Sequence, residues 1–126
     1  MNSTSTSTGT SELSTIHRIE EKLFQITIVF EIIKMYKSTF ICIDYVKGFN
    51  FADVSLVIYN HTYLPSPRSK ETDPVEMFRK EMANKISEKI QKNVYFSCNI
   101  NYNKNVFALV EERLFKEIKD RPEKFY

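Results

Sequence analysis

The segment from Asn93 to Tyr126 does most to restrict the folds open to this chain. Asn93-Val94-Tyr95-Phe96-Ser97-Cys98-Asn99-Ile100 alternates at period two, with Val94, Phe96, Cys98 and Ile100 on one side, the pattern of a strand. Asn101-Tyr102-Asn103-Lys104-Asn105 follows, rich in residues that favour turns and helix caps. Phe107, Val110, Leu114 and Ile118 then recur at three- and four-residue steps, one face of a helix. Arg121-Pro122 ends that helix, because the residue before a proline is pushed out of the helical region. A helix joined to a strand by so short a connection lies back on the sheet, and this fixes which sheet face is core. The rest of the chain must complete the sheet.

Upstream, residues 1–12 form a Ser/Thr tract with no apolar side chain between Met1 and Leu13, and are expected to be a disordered leader to a single domain at 13–126. Leu13–Glu20 reads as a short strand ended by a polar break at Glu21-Lys22. Leu23–Tyr36 is the strongest strand signal, dominated by β-branched residues: Ile26, Ile28, Phe30 and Ile32 share one face, Thr27, Val29, Glu31, Ile33 and Met35 the other. After the polar link Tyr36-Lys37-Ser38, Thr39–Val46 is a second long strand, so the pair is predicted to be an antiparallel hairpin. Phe51–Tyr59 is a further strand, with Val54, Leu56 and Ile58 read opposite to Ser55, Val57 and Tyr59.

Tyr63-Leu64 is a short edge-strand candidate, and Pro65 and Pro67 open an irregular loop that carries Arg68 and Lys70. Asp73-Pro74-Val75-Glu76 is a helix start with a cap, a first-turn proline and a carboxylate placed for a capping box. Val75, Phe78, Met82, Ile86 and Ile90 make its buried stripe, and Glu76/Lys80, Glu81/Lys85 and Glu88/Lys92 are spaced to pair in solvent. Strands gathered ahead of helices predict an α+β fold: a mostly antiparallel sheet of about five to six strands with two helices on one face, in the order β-β-β-β-(β)-α-β-α.

Two helices cover one sheet face. The other still holds Val29, Ile33, Phe40, Cys42, Val57, Tyr59 and Tyr95, interleaved with polar residues. A one-sided antiparallel sheet normally turns polar residues outward. An apolar patch of this kind marks a partner site, and its mixture of aromatic, aliphatic and polar residues suits an interface.

Composition argues against most other functions. With 126 residues the chain makes one sizeable core, and a net charge of +2 with interleaved acids and bases gives no electrostatic footprint for nucleic acid. Two glycines, Gly9 and Gly48, exclude a glycine-rich phosphate loop. No apolar run is long enough to span a bilayer, and no signal-peptide pattern opens the sequence. Cys42 and Cys98 sit in apolar surroundings and read as buried thiols of a reducing compartment. Neither His17 nor His61 has a metal-ligand neighbour in sequence, no serine lies in a nucleophile elbow, and Glu111-Glu112 reads as a solvated pair. The expectation is a protein that is not an enzyme and uses no cofactor, metal or small-molecule substrate.

The segment Phe107-Ala108-Leu109-Val110-Glu111-Glu112-Arg113, with Lys116-Glu117 and Pro122-Glu123-Lys124-Phe125 beyond it, resembles the proteasome assembly chaperone 4 family. The hairpin from Phe30 to Ile41 is similar to that family's central hairpin in pattern and register, and the resemblance spans about Ile16–Phe125. It implies a chaperone that acts in 20S proteasome assembly, expected in the cytoplasm, with the nucleus left open as a second compartment. Such a chaperone pairs with proteasome assembly chaperone 3 and binds alpha-type subunits as the alpha ring forms. On this reading the second apolar face meets the partner chaperone. Arg68 and Lys70 in the loop, or Arg121, Lys124 and Phe125 in the tail, meet the ring. A homodimeric α+β adaptor with no proteasome role fits the two-faced sheet as well.

Overall fold

The computed structural model describes residues 14–23, 25–46, 54–58, 62–64, 73–101 and 103–126. The leader 1–12 and the predicted site residues Tyr59, Arg68 and Lys70 lie outside these. Strands β1 (Ser14–Leu23), β2 (Ile26–Met35), β3 (Ser38–Tyr45), β4 (Val54–Ile58) and β5 (Thr62–Leu64) precede helix α1 (Pro74–Ile90). Strand β6 (Asn93–Cys98), helix α2 (Lys104–Asp120) and a 3-10 turn (Pro122–Lys124) follow. The strands form one six-stranded sheet in the order β1-β2-β3-β6-β4-β5. All pairs are antiparallel except β3 with β6. This is the predicted α+β architecture. Its one parallel pair arises because α1 carries the chain back over the sheet, so that β6 slots in beside β3 instead of extending an edge.

Both helices pack on one face. Ile28, Phe30, Ile32, Ile41, Ile43, Val94, Phe96 and Cys98 are fully buried against Met82, Ile86, Val110, Leu114 and Ile118. Phe78 of α1 stacks on Phe107 of α2 with centroids 4.3 Å apart and meets Phe96 of β6 edge-on at 6.3 Å, so three elements share one aromatic junction. Each such fully buried side chain stabilises the fold by about 1.5–3 kcal/mol. The caps follow the sequence: Asp73 accepts from the Val75 amide at 2.9 Å, and Asn103 accepts from Asn105 and Val106 at 3.0 and 3.1 Å.

Five local expectations are corrected. β1 runs ten residues, through the predicted break at Glu21-Lys22. Glu21 is opposite Ile28 and so faces the helices, where Arg113 Nε donates to it at 2.8 Å, while Lys22 is exposed on the other side. Glu76 does not pair with Lys80 in solvent: it is buried and takes Arg79 at 2.8 Å, and Arg79 also donates to the Cys98 carbonyl at 3.2 Å. Lys85 pairs across the helices with Glu111 at 2.8 Å, so Glu111-Glu112 is not simply a solvated pair. Lys92 has left the helix by the time it could reach Glu88, and its ammonium donates to the carbonyls of Met35 and Phe125.

The fifth correction concerns β4. Val57 is opposite Val94 and is buried in the core, so it faces the helices, while Leu56, opposite Tyr95, faces away. The run Val54-Ser55-Leu56-Val57-Ile58 is apolar at both parities, and only pairing with β6 decides its register. Val57 therefore leaves the set of predicted partner residues and Leu56 enters the open face.

Candidate interaction surface

The sheet face turned away from the helices carries an ordered pattern. In register, Ile16 is opposite Ile33, Ile33 opposite Phe40, Phe40 beside Tyr95, Tyr95 opposite Leu56, and Leu56 opposite Leu64. One row of apolar residues thus crosses all six strands, close to the β2–β3 turn. Ile16 is 67% exposed, and Ile33, Phe40, Tyr95 and Leu56 are half-buried. The Phe40 and Tyr95 rings stack with centroids 5.9 Å apart and planes 11° from parallel, a preformed aromatic platform.

The next row toward the far end of the sheet is Arg18, Glu31, Cys42, Ser97 and Val54. Arg18 bonds Glu31 across the strands at 3.3 Å. Beyond it stand Glu20, Val29 and Asp44. Of the predicted partner residues, Ile33, Phe40 and Tyr95 therefore fall in one accessible row. Val29 and Cys42 share their face but have no exposed surface in the chain itself, so the accessible area lies nearer the β2–β3 turn than predicted. Ile16, missed by sequence reading, is identifiable only once β1 is paired with β2, because a parity argument needs the register first.

Burial pushes the thiols of Cys42 and Cys98 both up to about 12, and Cys42 is also hydrogen-bonded to Ser97. Neither is a nucleophile at neutral pH. His17 faces the helices, where its Nε2 lies 2.7 Å from Glu117 Oε2, and no cysteine takes part in that cluster. Among the described residues no group of three His, Cys, Asp or Glu side chains could hold a metal ion, and no helix is long and apolar enough to cross a membrane.

Glu117 is the hub under β1. Its side chain is 1% exposed and accepts from Arg113 at 2.7 Å and from Arg121 at 3.2 Å as well as from His17. Burial alone would raise its pKa, but the hydrogen bonds from Arg113 and His17 and the charges of Arg113 and Arg121 outweigh it and hold the carboxyl below its usual value of 4.5. A carboxyl depressed in the folded state stabilises the fold above its unfolded pKa and loses that contribution as pH falls through the folded value. Glu117→Gln is accordingly expected to lower the unfolding midpoint at pH 7 and to flatten its decline from about pH 4.5 downward. Thermal melts at stepped pH measure this; an unchanged acid limb would show that the network contributes nothing.

The predicted tail site is corrected in part. Phe125 is fully buried, and its carbonyl accepts from Thr39 Oγ1 at 2.7 Å and from Lys92 Nζ at 3.4 Å. It is a core plug that cannot contact a ring. Arg121 is half exposed and folds back on Glu117, while Lys124 is partly exposed.

The arrangement defines a class: an α+β sheet protein covered on one side by its own helices and carrying an apolar row on the other. The same fold occurs in a chain of the crystal structure of a chaperone complex for yeast 20S proteasome assembly, with a TM-score of 0.61, 12% identity, and coverage of 88% of this chain and 96% of that one. No family model and no curated protein sequence matches the chain.

Proposed function

We propose that this chain is a non-enzymatic chaperone of 20S proteasome assembly, which pairs through its open sheet face with a homologue of proteasome assembly chaperone 3 and binds alpha-type subunits during alpha-ring formation. The observation that carries this reading is the apolar row from Ile16 to Leu56, left uncovered by either helix. The shared fold with a chain of a proteasome assembly chaperone complex supports the biological setting. The mechanism needs no nucleotide. Binding to a face of fixed shape favours one arrangement of subunits over others, and release follows when later contacts compete for the same surface. Affinity capture of the tagged full chain from cells, followed by mass spectrometry, tests the proposal. It is expected to recover a second small chaperone together with alpha-type subunits and without mature 20S particles. Recovery of neither would defeat it. A self-paired chain that ignores the other chaperone would move the protein to the homodimeric adaptor class.

A further inference from the structure

We infer that the β2–β3 turn and the C-terminal turn together form a second docking surface, separate from the sheet face, that takes an acidic segment of the client subunit; this rests on the chaperone reading above. The juxtaposition is made by one ammonium. Lys92 Nζ donates to the Met35 carbonyl at 2.8 Å and to the Phe125 carbonyl at 3.4 Å. The residue after each of those carbonyls is an exposed tyrosine: Tyr36 is 75% and Tyr126 52% exposed. Lys34 adds a second clasp by donating to the Glu123 carbonyl at 2.9 Å. Two exposed tyrosines thus follow directly on backbone that a single ammonium ties together. A tyrosine has few torsions to freeze and is a common binding anchor.

Lysines outnumber acids around them, Glu123 being the one acidic residue of the C-terminal turn. Lys34, Lys37, Lys92 and Lys124 gather at this end, and none forms an ion pair among the described residues. Backbone carbonyls accept hydrogen bonds from Lys34 and Lys92 but do not cancel their charge. Burial and the charge of Lys34 both lower the pKa of Lys92, in keeping with an unneutralised cluster. Lys37 Nζ lies 5.8 Å over the Tyr36 ring, free to turn toward a carboxylate. Carboxylates interleaved with an apolar side chain complement this surface. Lys34 and Thr39, opposite each other in register, lie on the helix side, so the turn stays open when the outer face is covered.

The test compares nuclease-treated captures of the full wild-type chain with those of the triple variant Tyr36→Ala, Lys37→Glu, Tyr126→Ala. The variant is expected to keep the partner chaperone and to lose about tenfold or more of the alpha-type subunits. Wild-type recovery of those subunits is expected to fall as salt is raised from about 50 to about 500 mM, because screening weakens exposed charge pairs. Equal recovery by variant and wild type would overturn the inference while leaving the proposed function intact. Wild-type capture of the partner chaperone without alpha-type subunits would remove the client, and the inference with it. Binding that vanishes on nuclease treatment would assign the cations to nucleic acid and overturn it also.

Discussion

Replacing Phe125 by alanine is expected to lower the unfolding free energy by about 3–5 kcal/mol, the range for emptying a fully buried phenylalanine site. Phe125 has no exposed surface and packs in the same cluster as Phe30, Phe96 and Leu114. Its site is held open against collapse by hydrogen bonds on both sides. Thr39 and Lys92 fix the Phe125 carbonyl, and Lys34 holds the preceding turn. A change of this size lowers the thermal midpoint by roughly 10 °C or more. Urea titration followed by circular dichroism measures it directly. Tyr126→Ala, one residue on and half exposed, is the control and is expected to change stability by less than about 0.5 kcal/mol. Equal midpoints for wild type and Phe125→Ala would mean that the tail is not part of the core.

That contrast shows where sequence reading reaches and where it stops. Periodicity within an element is local, and it placed β2, β3, β6 and both helices with their buried stripes correctly. The helix starts at Asp73 and Asn103 were legible because capping chemistry acts over three residues. Features that depend on partners distant in the chain were not legible. Glu21 looked like a break because the arginine that neutralises it stands 92 positions later. Glu76 looked solvated because nothing in its neighbourhood announces that Arg79 turns inward to the Cys98 carbonyl. Phe125, beside charged residues in a Pro-punctuated tail, had the local profile of an exposed contact, and its burial follows only from the fold, which brings Thr39 and Lys92, distant in the chain, onto its carbonyl.

The open face was half legible for the same reason. A strand with clean alternation announces its outward set, and β2 and β3 gave Ile33 and Phe40 correctly. A strand apolar at both parities announces nothing, and β4 was read with its faces exchanged. What no single strand reveals is alignment. Ile16, Ile33, Phe40, Tyr95 and Leu56 become one surface only when four registers are combined.

A pair of charge insertions on the two sides of the sheet separates folding from pairing. Phe40→Glu places a carboxylate in the middle of the apolar row, beside Tyr95, where the free chain leaves it access to water. The variant is expected to fold. In the complex that carboxylate is buried without a counter-charge, which costs about 3–5 kcal/mol, or roughly a hundred- to several-thousand-fold in affinity. Ile16→Glu, at the most exposed position of the row, gives a second variant with still less effect on the free chain. Val57→Glu buries its charge beneath α1 instead and is expected to prevent folding, not to break the pair. Calorimetric titration of the partner chaperone into each folded variant, with melting curves alongside, reads the two effects separately. Undiminished affinity in both Phe40→Glu and Ile16→Glu would place the partner elsewhere, because a row that tolerates two carboxylates is not desolvated when the partner binds.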